Sequence, residues 1–255
     1  MLTAAVLSGR PLIPVFVLDP ETESLGAAAK WRLGLAIEKF AASLAGLGAQ
    51  LVLRRGPAEG CLQDLITETN AAGVMWQRLY DPASKSRDMA VKASLKAKGL
   101  IAQSFPGALL FEPWDVATGQ GGYYKVYTPF WRAVKTRAVS APEAAPKALR
   151  PPTLWPRSDA LAMWRLGADM RGAAAVVEPY QRVGEAAALL RLDQFIDQAV
   201  AGYQADRDFP GIADATSGLS ENLAWGEIGP RRIWYAGQRA MLEGAAGAEH
   251  FLKEL

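Results

Sequence analysis

The sequence predicts an α/β fold with a parallel sheet in its first part, followed by an all-α region. Up to about residue 137, short apolar runs alternate with segments of helical periodicity, and beyond residue 185 only helical periodicity remains. Half of the 255 residues are hydrophobic and 21% are charged, which is the composition of a globular protein. A chain that is disordered throughout is therefore excluded.

Four apolar runs in the first part have the length and composition of strands. Each run is short and ends at a turn signal, which is typical of parallel strands that are buried on both faces. Pro14 interrupts the first run and favours an edge or a bulge there, because proline cannot donate to a ladder. The predicted strands cover residues 12–18, 50–54, 74–76 and 100–105.

Amphipathic helices are predicted between these strands, and strands that are joined in this way run parallel. The first helix carries one apolar stripe with spacings of three and four, and Gly48 is its expected C′ residue. Two further helices are predicted at residues 58–72 and 83–98, with Gly73 and Gly99 after them. The stripe of the first helix consists of Leu33, Ile37, Phe40, Leu44 and Leu47.

The remaining chain divides into a joining region and a helical region. Thr128 and Pro129 suit the N-cap and the first position of a helix that runs to about residue 137. Residues 138–185 are rich in alanine, proline and glycine without a sustained period, which fits an ordered surface linker and a partly disordered one equally well. We therefore predict an α/β domain at 1–137, this linker, and a helical domain at 186–255. The helical stripe after the linker is Leu189, Leu192, Ile196, Ala199 and Tyr203.

The composition excludes several classes of protein. Cys61 is the only cysteine and His250 the only histidine, so an intrachain disulfide, a zinc site of Cys and His, and a well-oriented Ser-His-Asp triad are not expected. No apolar stretch reaches the about eighteen residues of a membrane span, and residues 1–18 lack the basic start of a signal peptide. We therefore expect a cytoplasmic protein with no membrane partner and no metal site. The net charge of +2 does not by itself indicate nucleic acid.

Two segments could hold a ligand but have a simpler interpretation. Arg78 and Tyr80 follow the third strand, where ligands bind in open parallel sheets, yet we favour a capped loop in which Asp81 starts the next helix. Residues 119–137 combine aromatic and basic side chains, which suits nucleic acid or a stacked chromophore, but we favour a domain-joining helix with core aromatics. Neither the G-x-G-x-x-G fingerprint nor a Walker lysine motif is present, so a standard dinucleotide or ATP site is not predicted.

A third segment has more specific features. Small hydroxyl residues and a glycine stand just before a predicted helix, where backbone N–H groups and the positive helix end can hold a phosphate. Ser220 is the natural N-cap of that helix. Plain capping explains the same residues equally well, so both interpretations stay open. The segment reads Thr216-Ser217-Gly218-Leu219-Ser220, and Gly229-Pro230 begins another helix further on.

Six motifs along the chain point to one family. They are Pro14-Val15-Phe16-Val17-Leu18-Asp19, Tyr80-Asp81-Pro82, Lys125-Val126-Tyr127-Thr128-Pro129-Phe130, Arg207-Asp208-Phe209-Pro210, Thr216-Ser217-Gly218-Leu219-Ser220 and Trp225-Gly226-Glu227-Ile228-Gly229-Pro230-Arg231. In order and spacing they resemble the DNA photolyases and cryptochromes, and specifically the bacterial cyclobutane pyrimidine dimer photolyases. Each motif is weak alone, whereas six in order over nearly the whole chain are specific.

The resemblance implies an N-terminal α/β antenna domain, a long interdomain loop and a helical domain that binds a U-shaped FAD. Tyr203 matches a tyrosine of the family's flavin site. Arg207 matches a DNA-contacting arginine, which would position the protein on phosphate without reading sequence. Gly218 stands where many members carry a basic residue and others a glycine. The segment that holds the FAD phosphates in the family matches at Thr216, Ser217, Leu219 and Ser220.

The implied activity is that of a deoxyribodipyrimidine photo-lyase acting on UV-damaged DNA. A pyrimidine dimer is flipped out of the duplex, and light drives electron transfer from reduced FAD to it, so that the dimer splits and the electron returns. The first domain would hold an antenna pigment, a folate or a deazaflavin, although some members use neither. No catalytic acid or base is required, and we expect a complete member to be a monomer.

Relative to the family pattern, we expect both ends of this chain to be missing. The first strand of the sheet and an arginine-rich loop would precede Met1. A Trp-Arg-Glu-Phe region would follow Leu255, together with most of the flavin cavity, the lesion pocket and the electron-relay tryptophans. We therefore expect an incomplete antenna domain, a partial FAD-binding domain and a fragment that is inactive by itself.

Other functions stay open at this point. A cryptochrome-type blue-light sensor would have the same flavin site, and the features that separate it from a photolyase lie in the missing part. Without the resemblance, the chain is a nucleotide-binding α/β module that lacks catalysis, and nucleotide would bind to residues 1–137 alone. A third interpretation is a pseudogene product that exposes apolar surface and aggregates.

Overall fold

The computed structural model describes the whole chain, which folds into two compact units that each combine two separate stretches. The first unit comprises Met1–Phe105 and Ala144–Gly184, and the second comprises Pro106–Glu143 and Glu185–Leu255. The end of the predicted α/β region therefore belongs to the second unit, and most of the predicted linker belongs to the first. No helix of either unit combines the length and the apolar character that crossing a membrane requires.

Strands and helices alternate in the first stretch, as predicted, and helices alone make up the last. The strands are β1 (Val15–Leu18), β2 (Val52–Arg55), β3 (Gly73–Gln77) and β4 (Ile101–Phe105). The helices are α1 (Leu2–Leu7), α2 (Pro20–Glu23), α3 (Ala27–Gly46), α4 (Ala58–Thr69), α5 (Pro82–Ala97), α6 (Tyr127–Val134), α7 (Ala173–Val177), α8 (Glu185–Gln198), α9 (Tyr203–Asp206), α10 (Ser220–Ala224), α11 (Pro230–Leu242) and α12 (Ala248–Leu252).

The four strands pair in parallel, which confirms the predicted direction. They form two separate two-stranded sheets, β1 with β2 and β3 with β4, so a single continuous sheet is not formed. The first strand begins at Val15, later than predicted, because Pro14 has no N–H to donate. The carbonyl of Pro14 still accepts a hydrogen bond from the Val52 amide at 2.8 Å, so the chain stays aligned with β2 up to the proline.

Two helix ends in the first unit show how local backbone geometry sets the boundaries. Gly48 follows α3 with a φ of 79°, as expected of a C′ residue. The next helix ends at Thr69 instead of residue 72, because Asn70 adopts a left-handed conformation with a φ of 51°. Gly73 is part of β3, where a Cβ atom would lie 2.3 Å from the carbonyl oxygen of Ile101, so only glycine fits.

The predicted apolar stripe of α3 is buried at Leu33, Ile37 and Leu44. Phe40 lies on the same stripe but is half exposed, because no other side chain covers that turn of the helix. A second apolar cluster joins α5 to the sheet of β3 and β4 through Val91, Leu95 and Ala102, with Trp76 partly buried against it.

The segment at 144–184 is ordered by contacts with the first unit, so the ordered interpretation of the linker holds. It contains short 3₁₀ turns and one helix, α7. The hydroxyl of Ser158 accepts a hydrogen bond from the Leu53 amide, and the Asp159 amide donates to the Leu53 carbonyl, each at 2.9 Å. The amide of Leu149 donates in the same way to Leu47 at the end of α3. These bonds satisfy backbone groups of β2 and α3 that would otherwise face solvent.

A polar network connects the residue after β1 with α5 and β3. The buried carboxylate of Asp19 caps α2 by accepting from the Thr22 amide, and it accepts at 2.7 Å from Nη1 of Arg87. The same guanidinium bonds Asp88 through Nε and Nη2 at 3.0 and 2.9 Å. The other carboxylate oxygen of Asp88 accepts from the Trp76 indole N–H at 3.0 Å. Elements of both two-stranded sheets are thus joined by one charged chain of hydrogen bonds.

The second unit is built around the aromatic side of α8. Phe195 is fully buried and packs against Phe251 of α12 in a tilted arrangement, with 4.7 Å between the ring centroids. Trp234 of α11 packs against Trp131 of α6 at 6.4 Å, in a smaller cluster that includes Leu252. The Trp131 ring is therefore partly buried against this cluster, whereas Tyr127 of the same helix is exposed.

Two predicted boundaries of α6 are wrong. The helix begins at Tyr127, so Val126 occupies the N-cap position and Thr128 lies inside the first turn, where its side chain makes no capping bond. It also ends at Val134 instead of residue 137. The side chain of Arg137 folds back on the helix end and donates to the Ala133 carbonyl at 3.1 Å, which satisfies one of the last carbonyls.

The polar network predicts a specific loss of stability on Asp19→Asn. Asparagine keeps the cap on α2 but leaves Arg87 without its buried anion, so the free energy of unfolding should fall by about 2 kcal/mol. Asp81→Asn is the matched control, because Asp81 caps α5 through the Ser84 amide at 2.8 Å but is exposed and makes no ion pair. Urea titrations of both variants give the comparison, and equal losses would contradict a special role for the network.

Acid titration gives the second measurement on the same pair of variants. Burial raises the pKa of Asp19, but hydrogen bonds from Thr22 and Arg87 and the charge of Arg87 outweigh it and hold the pKa below the ordinary 3.8. The stabilisation from a lowered pKa is present above the unfolded-state value and disappears as the pH falls through the folded-state value. Below about pH 4, the unfolding free energy of Asp19→Asn should therefore fall less steeply than that of the wild type.

Candidate functional site

The residues predicted for ligand binding all lie in the second unit, between α8 and α10. Tyr203 begins α9, and Arg207 follows the end of this short helix. Residues 207–219 form a turn-rich loop that leads into α10, and no part of it is an extended strand. Thr216, Ser217 and Ser220 lie at the end of this loop, close in sequence to Gly218.

Tyr203 is a core residue as much as a site residue. Only 6% of it is exposed, and its ring makes edge contacts with Phe195 and Phe251 at centroid distances of 5.6 and 5.5 Å. His250 lies 6.2 Å away on another side. Burial raises the pKa of the Tyr203 hydroxyl, which the positive charge of Arg207 partly offsets. The group therefore stays protonated at neutral pH, with its hydroxyl end directed toward Arg207.

Arg207 is held by three neighbours within the second unit. Its guanidinium carbon lies 5.3 Å from the centre of the Tyr203 ring, and Nη1 donates to the Tyr203 hydroxyl at 3.4 Å. The same Nη1 pairs with Glu254, and Nε donates to Asp208 at 3.3 Å. The hydrogen bond that Arg207 donates to Glu254 is the largest cause that raises the pKa of Arg207. Two carboxylates thus balance its charge, and Nη2 is the terminal nitrogen that makes none of these bonds.

Arg191 of α8 holds the loop before α10 through its guanidinium group. The Arg191 side chain is buried, and its Nη2 and Nε donate to the carbonyl oxygens of Thr216 and Ser217 at 2.5 and 2.8 Å. Its Nη1 pairs with Asp214 at 2.9 Å. The three nitrogens of the guanidinium are therefore all used on residues 214–217.

The same loop carries polar groups that have no hydrogen-bond partner. The backbone N–H groups of residues 216–220 have no hydrogen-bond partner within the chain, and neither have the hydroxyls of Thr216, Ser217 and Ser220. Gly218 has a φ of 61°, and Leu219 follows in the right-handed region. Alternation of left- and right-handed residues turns successive N–H groups toward a common point, which is a known way to bind an anion.

Two details of the predicted phosphate segment need correction. Ser220 is the first residue of α10 instead of its N-cap, a position that Leu219 occupies without a side-chain bond. Leu219 is itself fully buried in the core, so its side chain faces away from solvent and only its backbone can meet a ligand. Because α10 has five residues, its dipole is small, and phosphate binding would depend on individual N–H and O–H donors.

Sequence reasoning missed Arg191 and a second buried polar pair. The predicted stripe of α8 used Leu189, Leu192 and Ile196, whereas the fully buried face carries Arg191 beside Leu192 and Phe195. A single arginine within an otherwise apolar helical stripe was the available signal. Asn222 of α10 is also buried and donates to Glu227 at 2.6 Å, which ties the short helix to the turn before α11. As predicted, Gly229 and Pro230 begin that helix.

The other candidate segments follow the simpler interpretations. Asp81 caps α5, and the Arg78 amide continues the β3–β4 pairing by donating to Phe105 at 2.9 Å, so the loop after β3 is a capped connection. In the basic, aromatic segment, Trp131 is partly buried against a core cluster, while Tyr123 and Tyr127 are exposed. No cluster of three or more His, Cys, Asp or Glu side chains is arranged to hold a metal ion.

An α/β unit followed by a helical unit with a donor-rich loop defines a two-part protein with a site suited to a phosphate-bearing ligand. The sequence profile of the DNA photolyase family matches residues 1–150. A deoxyribodipyrimidine photo-lyase of Agrobacterium fabrum is 44% identical over 236 residues, which are 92% of this chain and 49% of that protein. Cryptochrome-1 of Arabidopsis thaliana is 30% identical over 250 residues, which are 92% of this chain and 35% of that protein.

A solved structure gives the same result. A bacterial class III photolyase from Agrobacterium tumefaciens superimposes with a TM-score of 0.93 at 41% identity, covering 99% of this chain and 53% of the other. The chain belongs to the DNA photolyase family. It spans about half the length of the curated photo-lyases that it matches.

The packing of Tyr203 predicts different outcomes for two substitutions. Tyr203→Ala should lower the free energy of unfolding by about 3–5 kcal/mol, because it removes a ring that contacts Phe195 and Phe251. Tyr203→Phe keeps those contacts, loses only the bond from Arg207, and should cost less than about 1.5 kcal/mol. Denaturant titrations measure both. A similar, small loss in the two variants would show that the ring is not part of the core.

Proposed function

We propose that this chain is part of a deoxyribodipyrimidine photo-lyase, an enzyme that splits cyclobutane pyrimidine dimers in UV-damaged DNA under light. The observation that carries the proposal is the donor-rich loop at 216–220 in a chain that is 44% identical to a photo-lyase. We assign this loop to the pyrophosphate of FAD. The enzyme class is a carbon-carbon lyase, and the assignment predicts no acid/base catalytic residue.

The residues present fit this cofactor. A pyrophosphate needs several N–H or O–H donors and no carboxylate at its surface, and residues 216–220 offer five amides and three hydroxyls without internal partners. When bound, FAD supplies light-driven electron donation to the dimer. The chain itself holds and orients the cofactor. The loop binds the phosphates, and the buried ring of Tyr203 packs in the core of the second unit next to Arg207.

We assign Arg207 to a DNA phosphate contact. Its Nη2 group makes none of the intrachain bonds described above, so it can donate to a phosphate oxygen without leaving Tyr203. Glu254 competes for the same guanidinium, which places a carboxylate where a phosphate would also bind. A contact of this kind contributes affinity without sequence preference.

The other parts of the proposal concern the larger protein. We infer that residues 1–137 belong to an antenna domain, 138–185 to an interdomain linker and 186–255 to the start of a FAD-binding domain, with the end of the antenna segment, from Pro106 on, packing in the second unit. A folate or deazaflavin pigment in the antenna domain, a cytoplasmic location and a monomeric state are part of the same proposal. Because the chain spans about half of its relatives, we expect repair activity to require the whole protein.

A blue-light sensor is the second candidate, since Cryptochrome-1 of Arabidopsis thaliana is 30% identical over most of this chain. The two functions separate in one experiment on the full-length gene product. Light-dependent disappearance of thymine dimers from irradiated DNA, absent in the dark, supports repair. Flavin reduction under blue light without dimer loss supports the sensor.

The flavin assignment predicts that Ser217→Ala weakens FAD binding. The substitution removes a hydroxyl donor to a charged phosphate, and a loss of about tenfold in affinity is expected. Isothermal titration of the full-length gene product with FAD measures it. Ser140→Ala is the control, because Ser140 is an exposed serine of the same unit outside the loop. Equal affinities in the two variants would remove Ser217 from the site.

The DNA assignment predicts opposite effects for Arg207 and its partner. Arg207→Ala should weaken binding to damaged and undamaged duplexes alike and reduce the slope of log K against log salt by about 1. Glu254→Gln removes the competing carboxylate and should strengthen both. Arg239→Ala, at an exposed arginine of the same unit, controls for net charge. Fluorescence anisotropy at several salt concentrations gives the slopes, and a loss confined to damaged DNA would contradict a phosphate contact.

A further inference from the structure

Arg191 has a role that neither the family motifs nor the comparisons assign. It is a cation on the buried face of α8, with 5% of its surface exposed, beside the fully buried Leu192 and Phe195. A buried charge is costly unless its donors are bonded. Here all the partners are in one short loop: the carbonyls of Thr216 and Ser217 and the carboxylate of Asp214.

These bonds set the direction of the neighbouring amides. All peptide bonds of the chain are trans, and in a planar trans peptide the carbonyl of one residue points opposite to the N–H of the next. Because the Thr216 and Ser217 carbonyls are drawn down onto the guanidinium, the N–H groups of Ser217 and Gly218 point away from it. Those two N–H groups are among the unbonded donors of the loop.

We propose that Arg191 is the positioning residue of the pyrophosphate loop: by binding two successive carbonyls from below, it orients the Ser217 and Gly218 amides toward the FAD phosphates. It does not touch the ligand itself. The inference rests on the proposed flavin function, since the ligand assigned to the loop is FAD. The positive charge of Arg191 also favours an anion on the side of the loop that faces away from Arg191, and Asp214 balances part of this charge.

A guanidinium is suited to this task in a way that an ammonium is not. Its planar fork places Nη2 and Nε side by side, which matches two successive carbonyls with fixed geometry. Lysine would keep the charge but supply donors from a single nitrogen. Arg191→Lys should therefore keep the fold while orienting only one of the two peptides, and Arg191→Met should orient neither.

The experiment compares three variants of this chain with the wild type: Arg191→Met, Arg191→Lys and Arg54→Met. Arg54 is the matched control, because it is a buried arginine of the first unit that pairs with Glu68. Near-UV circular dichroism and thermal unfolding establish that each variant is folded. Amide order parameters from ¹⁵N relaxation then report on residues 215–219, and titration of the same substitutions in the full-length gene product with FAD reports on affinity.

We expect order parameters near about 0.85 across the loop in the wild type and in Arg54→Met, and below about 0.6 in Arg191→Met. FAD affinity should fall about tenfold or more in Arg191→Met and less in Arg191→Lys. If Arg191→Met loses thermal stability as Arg54→Met does but its loop stays rigid, the positioning role is overturned. If Arg191→Met does not fold, Arg191→Lys decides the same question.

Two outcomes separate this inference from the flavin proposal. If the full-length wild type does not bind FAD but the loop of Arg191→Met loses order, the positioning role is supported and the flavin assignment is overturned. If the wild type binds FAD and Arg191→Met binds it equally well, with a disordered loop, the flavin assignment stands and the role of Arg191 in phosphate binding is overturned.

Discussion

The structure of the second unit depends on the hydrogen bonds of one buried cation, the guanidinium of Arg191. A guanidinium surrounded by Leu192 and Phe195 remains there only while its donors are satisfied, and every partner that satisfies them is on the loop at 214–217. The loop is therefore not free to drift on the surface, since moving it would leave a charge unbonded in the core. The stability of this core and the geometry of the loop are therefore coupled.

The aromatic core and the candidate ligand residues also overlap. Tyr203 contributes its ring to the packing between Phe195 and Phe251 and keeps only its hydroxyl for other partners. That hydroxyl is bonded to Arg207, whose guanidinium also lies against the ring. Because the two residues share both contacts, a change at one alters the other. The proposed flavin role of Tyr203 and the proposed DNA role of Arg207 are therefore coupled, and only conservative substitutions can separate their effects.

The regular elements of the chain could be predicted because local signals agreed with the final packing. Apolar runs of strand length and a stripe such as Leu33, Ile37 and Leu44 need no distant partner to be recognised. The sequence-based predictions that were wrong concerned features that depend on distant contacts or on the geometry of single residues. Thr128 has the right chemistry for a cap, yet the helix begins at Tyr127, two residues earlier than predicted. Phe40 is half exposed although other turns of its stripe are buried.

The site could be predicted in part for the same reason. The segment from Thr216 to Ser220 was recognisable from its residue types, but Arg191 lies 25 residues before Thr216 and meets it only through the fold. The two-stranded sheets could not be foreseen either, because each strand signal is local and pairing is not. The bridge from Asp19 through Arg87 to Trp76 joins residues that no short motif combines.

The shortness of α10 decides which physical effect can bind a phosphate at this loop. A helix end contributes about 0.3–1 kcal/mol to an anion even when the helix is long. A hydrogen bond to a charged group contributes about 1.5–3 kcal/mol, and the loop offers several such donors. With five residues in α10, the donors dominate and the dipole is minor. Binding then depends on how the individual amides are aimed, which is the property that the buried guanidinium of Arg191 controls.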